Sequence, residues 1–230
     1  MRIGVTLPQF SDEADTAIAA AQRAEELGID GVFCFDHLWP MGQPGRPAIS
    51  SGPLLGALVA STTSIAVGTL VARIGLLPDD VLVEVLCGVH AMSGGRFVAG
   101  IGTGDRLSRE ENEAYGIPFE TAAVRRERAG SVAAAVIGAG VRVWLGGGRP
   151  EMVALARSTG AAINIWQVDV DPVMDLVAQD IEVTWGGPVG DTVEEATAML
   201  GKVAAAGATW AVCAWPKSLE VVAEAAATFR

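Results

Sequence analysis

The stretch Gly31-Val32-Phe33-Cys34-Phe35-Asp36-His37-Leu38-Trp39-Pro40 decides how this chain is read. Its first five residues are apolar or small without alternation, the mark of a short strand covered by helices on its outer face. Asp36 and His37 arrive where that strand stops. In a parallel β/α fold, ligands bind at the carboxyl ends of the strands. One of only two histidines in the chain would therefore stand on the active face.

Outward from this stretch the same pattern repeats. Apolar strand-like runs fall at 2–8, 31–35, 65–72, 96–101, 141–145, 162–166, 181–185 and 211–215. Helical patterns follow them at 15–27, 53–61, 80–92, 121–137, 151–158, 172–179, 193–206 and 219–229. Ile18, Ala21, Ala24 and Leu27 share one helical face, and Gly28 stands where a left-handed residue would end that helix. Thr192 with Glu195 three residues on is a capping-box pattern. Pro78-Asp79-Asp80 puts proline and carboxylates at a helix start, where they complement free amides and the dipole. Eight β/α units in order predict one (β/α)8 TIM-type barrel domain over residues 1–230, compact and short-looped. An open doubly wound sheet fits less well, because the first turn, Pro8-Gln9-Phe10-Ser11, carries no glycine fingerprint.

Composition narrows the function. Half of the 230 residues are hydrophobic, enough for a large core. A formal net charge of −11 argues against a nucleic-acid partner, which needs clustered cations. Cys34, Cys87 and Cys213 lie far apart in apolar runs and read as reduced core thiols, with no metal site. No apolar run is long enough to span a membrane and no signal-like start is present, so a cytoplasmic protein acting on a small molecule is expected.

The barrel reading requires the residues just after each strand to converge. Gln9, Trp39, Trp166, Trp185 and Trp215 are expected to form the substrate pocket, the indoles flanking a planar ligand. For each tryptophan, simple packing at the barrel end is an equal alternative. Gly146-Gly147-Gly148 before Arg149-Pro150-Glu151 reads as a strand, a glycine turn and a helix start whose free amides suit a phosphate. The run Gly100-Ile101-Gly102-Thr103-Gly104-Asp105 lacks the spacing of a dinucleotide fingerprint. No cluster of Arg or Lys after the strands marks a sugar-phosphate substrate.

Four segments carry a family resemblance: residues 2–8, residues 31–37, Ala66-Val67-Gly68-Thr69-Leu70-Val71, and Met92-Ser93-Gly94-Gly95-Arg96-Phe97 running on to Gly104. Val143-Trp144-Leu145-Gly146-Gly147 extends it. The chain resembles the bacterial luciferase-like monooxygenase superfamily, and its coenzyme F420-dependent branch more than its FMN-dependent one. That resemblance implies hydride transfer between a deazaflavin and a small organic substrate. FMN is the alternative cofactor, and a degenerate flavin-binding protein the alternative role. By resemblance, Asp36 and His37 border the ring, Asp105 replaces a glutamate proposed as proton donor, and Leu70-Val71 is a non-proline cis step against the cofactor. Gly102, Thr103 and Gly104 lie beside it, and Gly146, Gly147 and Gly148 receive its phosphate. His37 is the group to exchange a proton, with Asp36 either holding it or capping the next segment. A homodimer through the helices beside strands 2 to 4 is also expected. Two departures stand out. Residues 137–140 lead straight into strand 5 without the usual covering segment, and Gln167-Val168-Asp169 puts a carboxylate where relatives bind phosphate.

Overall fold

The computed structural model describes residues 1–167 and 169–229; Val168, within the Gln167-Val168-Asp169 segment, and Arg230 lie outside the described residues. Strands β1 (Arg2–Thr6), β2 (Gly31–Cys34), β3 (Ala66–Arg73), β4 (Phe97–Gly102), β5 (Arg142–Gly146), β6 (Ala162–Trp166), β7 (Val183–Gly187) and β8 (Trp210–Cys213) form a closed parallel barrel in chain order. Around it run α1 (Ala14–Glu26), α2 (Ser51–Ser61), α3 (Asp79–Met92), α4 (Ser108–Ala114), α5 (Ala122–Gly138), α6 (Pro150–Thr159), α7 (Asp171–Val177), α8 (Val193–Ala205) and α9 (Leu219–Ala226). All eight expected strands are present, and α4 is the helix that the apolar pattern does not reveal. No described helix is long and apolar enough to cross a membrane.

Local signals act as the sequence suggests. Gly28, at φ 73°, follows the last turn of α1. Thr192 Oγ1 accepts from the Glu195 amide, and the Glu195 carboxylate accepts from the Thr192 amide, both at 3.2 Å. Glu25 ties α1 to the entry of β3: its carboxylate accepts from the amides of Thr63, Ser64 and Ile65. Partial burial pushes that carboxyl up, but the amides outweigh it and hold its pKa at about 2.

Side chains alternate between the inside and the outside of the barrel. Outward ones, such as Val5, Val32, Val67, Ile101, Leu145 and Val183, pack beneath the helices. Each contributes about 1.5–3 kcal/mol by leaving water. The inside is filled by rings. Phe33 stacks on Trp144 at 5.1 Å and meets Trp210 edge-on at 5.8 Å. Such large groups fit only because small residues stand beside them: a Cβ on Gly31 would come within 2.8 Å of Trp210, and one on Gly68 within 2.7 Å of Phe33. The interior of the barrel is thus plugged by side chains.

Candidate active site at the carboxyl rim

At the end of β3 the Leu70–Val71 peptide is cis, and the pairing of β3 with β4 slips between Thr69 and Ala72. β3 leans on β4 there. A Cβ on Gly100 would sit 2.2 Å from the Thr69 carbonyl oxygen, and one on Gly102 2.2 Å from Val71. Close approach of the β3 backbone at Gly100 and of the Val71 side chain at Gly102 therefore explains the first glycines of the 100–104 run. Above them opens a cavity of about 350 Å³. Leu70, Val71, Gly102 and Gly146 border it, Phe35 and Trp166 meet at 6.0 Å on another side, and His37, Arg73, Asp105 and Asn164 bring polar groups to it.

His37 is held by Glu111, which sequence reasoning missed. His37 Nδ1 lies 2.9 Å from Glu111 Oε2. An ionised carboxylate only accepts, so the proton belongs on Nδ1, and Nε2 has no protein partner among the described residues. Glu111, 2% exposed, also takes a short hydrogen bond from the Leu38 amide and pairs with Arg73 Nη1 at 2.8 Å. Burial pushes the Glu111 carboxyl up, but His37, the Leu38 amide and Arg73 together bring it below the ordinary range. Arg73 is buried as well, with Nε and Nη2 lacking a protein partner. All of this hangs on α4, a short helix whose buried residues are Ser108, Glu111 and Asn112. A search for apolar periodicity passes over a helix whose inner face is polar; the Asp105 turn and the acidic first turn were the available signals.

Other expected site residues have different surroundings. Asp36 does not hold His37: its two oxygens accept from Ser51 Oγ at 2.7 Å and the Arg73 amide at 2.9 Å, bracing β2 against α2 and β3. Gln9 is fully buried and bridges β1 to β2, donating to the Phe35 carbonyl at 2.7 Å and accepting from the Phe35 amide at 2.5 Å. Trp185 is a correction to the pocket. Its position in β7 turns the ring outward, and it is fully buried in the layer beneath the helices. Trp39 is also buried, 5.7 Å from the Tyr115 ring, and Trp215 borders a separate surface hollow with Pro188 and Lys217. Of the four expected tryptophans, Trp166 alone borders the cavity. Asp105 reaches the rim, where its carboxylate accepts from the amides of Leu107 and Ser108 and starts α4. Thr103 and Gly104 border the cavity too.

Gly146 and Gly147 edge the same cavity, and Gly147, at φ 101°, makes a turn that other residues rarely adopt. Gly148 faces away, its Cα packed so that a Cβ would meet Ile165 at 2.6 Å. The amides of Gly148, Arg149 and Glu151 have no acceptor among the described residues and form the free end of α6. Past this turn a second groove, about 520 Å³, is lined by Arg106, Arg109, Arg125, Arg126 and Arg149. The fold thus assembles a cationic cluster that linear spacing did not reveal.

These features define a (β/α)8 barrel with an aromatic-walled rim pocket beside a strand, a glycine turn and a helix start whose first amides are free among the described residues. Residues 1–128 match the family of luciferase-like monooxygenases, and the chain belongs to that family. It is 40% identical over 100 residues to an F420-dependent glucose-6-phosphate dehydrogenase of Nakamurella multipartita, across 43% of this chain and 28% of that protein. A protein of the same name from Beutenbergia cavernae is 33% identical over 134 residues, across 56% of this chain and 39% of that one. The matches span well under half the length of these relatives. In fold, the chain is similar to an F420-dependent secondary alcohol dehydrogenase solved in complex with an F420–acetone adduct. The TM-score is 0.85 at 12% identity, with 100% of this chain and 99% of that chain covered.

Proposed function

We propose that this chain, one barrel domain, is an F420-dependent oxidoreductase that moves a hydride between the deazaflavin and a small organic molecule. One observation carries the reading: His37, oriented by Glu111 and with Nε2 unpartnered, borders an apolar, aromatic-walled cavity that runs into the glycine turn before α6. The residues present fit such a cofactor. The Leu70–Val71 step and Gly102 offer a flat apolar support, Arg73 has donors to spare, and the free amides at α6 suit a phosphate. When bound, a deazaflavin supplies the two-electron chemistry. The chain orients the ring on Leu70 and Val71, keeps water away with Phe35 and Trp166, and holds or accepts one proton at His37 Nε2. Asp105 at the rim is a second polar group for substrate. The names of the matched relatives support the choice of F420 over FMN.

Titration of the purified protein with F420 and with FMN, followed by absorbance and fluorescence, tests this reading. Saturable F420 binding in the micromolar range, with FMN weaker, is the expected result. Tighter binding of FMN would move the chain to the FMN-using branch, and binding of neither would overturn the enzyme reading.

We also infer a homodimer working in the cytoplasm, where the chain's free thiols suit a reducing medium. α2 contains no charged residue, and the neighbouring α3 exposes Val81 and Met92. That surface suits burial against its own copy. Light scattering after gel filtration should give twice the mass of the chain, and Val81→Arg should halve it. A monomeric wild type would rule the dimer out.

A further inference from the structure

The groove beyond the glycine turn is out of character with the rest of the surface. The chain carries 16 Lys and Arg against 27 Asp and Glu, yet five arginines converge here. They come from three places distant in sequence: the β4–α4 connection and α4 (Arg106, Arg109), the first turn of α5 (Arg125, Arg126), and the N-cap of α6 (Arg149).

Two of the five are occupied by the protein itself. Arg125 is buried, donates to the carbonyls of Thr103, Gly104 and Glu120, and lies 3.9 Å over the Phe119 ring. It is a strut that fixes the groove wall. Arg109 lies 3.6 Å from Glu113, exposed on α4. Arg106, Arg126 and Arg149 have no carboxylate or carbonyl partner among the described residues. Three carboxylates share the groove. Glu120 is neutralised by Arg128, Asp105 is engaged by the α4 amides, and Glu151 is unpaired. A cationic excess remains. Burial first, then repulsion from Arg109, Arg126 and Arg73 outweighing attraction to Glu120, lowers the pKa of Arg125.

Position adds a second, independent argument. Thr103, Gly104, Asp105, Gly146 and Gly147 border both this groove and the ring cavity, so one ligand can lie across the two. Arg149 and Glu151, whose amides are free among the described residues, line the arginine groove. Guanidinium groups left without partners favour carboxylate or phosphate oxygens through charge-assisted hydrogen bonds.

We propose that Arg106, Arg126 and Arg149 form an anion subsite that takes the carboxylates or phosphates of a chain leaving the ring cavity past Gly104 and Gly147. This rests on the functional reading above for the identity of the ring, but the subsite itself does not. Two sources share that chemistry: the glutamyl side chain of the cofactor and an anionic group on the substrate.

The test uses the wild type and the double variant Arg126→Ser/Arg149→Ser, both replacing side chains that hold no other part of the fold, with circular dichroism as the folding control. Three probes are titrated: F420, its ring-and-ribityl fragment lacking phosphate and glutamates, and free triglutamate with inorganic phosphate as a competitor. Binding of F420 weakened at least about tenfold in the variant, with the fragment unaffected and the wild-type affinity falling steeply with salt, supports the subsite and gives it to the cofactor. Unchanged F420 binding with lost affinity for triglutamate or phosphate supports it and gives it to the substrate. A variant that binds every probe as the wild type does overturns the subsite while leaving the F420 reading intact. A wild type that binds the free anions through these arginines, but not F420, overturns the F420 reading while leaving the subsite.

Discussion

Glu111→Ala is expected to cost about 3–5 kcal/mol of folding stability, the usual loss when one partner of a buried ion pair is removed. Arg73 would keep its charge and lose the oxygen 2.8 Å from Nη1, inside a region where neither residue is more than 4% exposed at the side chain. His37 Nδ1 and the Leu38 amide would lose their acceptor in the same step. Glu111→Gln preserves shape and one acceptor, and should fall between alanine and the wild type. Urea unfolding measures all three. A loss under about 1 kcal/mol for alanine would mean that Asp36 or water neutralises Arg73 instead. The pH dependence has a fixed sign. Folding lowers the Glu111 pKa, so its contribution is present above the unfolded-state value and fades as pH falls through the folded one. The gap between wild type and Glu111→Gln should therefore close on acidification.

The second large effect concerns turnover. His37→Ala should lower kcat by about 10²–10⁴-fold, the range for losing a positioned acid or base, with F420 affinity changed only a few-fold. On the proposed F420 chemistry, the assay follows F420 absorbance with a small organic substrate. Glu111→Gln should lower kcat less and displace the pH–rate profile, because it acts through the imidazole; His37→Ala should abolish that displacement. If His37→Ala leaves kcat and its pH profile near wild type, the imidazole only packs the rim.

Much of the fold was legible because each β/α unit repeats the same two periods, and its punctuation lies in single residues such as Gly28 and Thr192. The site was legible only in part. Trp166 and Trp185 look equivalent in sequence, each near the end of an apolar run. One is the last residue of β6 and reaches the rim, while the other lies mid-strand in β7 and points out beneath the helices. Parity within a strand decides this, and a register uncertain by one residue reverses it. Glu111 was hidden because α4 buries polar groups. The arginines were hidden because residues as far apart as 106 and 149 meet only after the barrel closes.

The ring cluster of Phe33, Trp144 and Trp210 separates two properties of the molecule. Barrel closure depends on that cork and on the small residues that admit it, not on anything that crosses the mouth. Segments over the mouth can therefore shrink or lengthen without reopening the core. A backbone held from below is free to change its guests, which suits a fold shared at 12% identity.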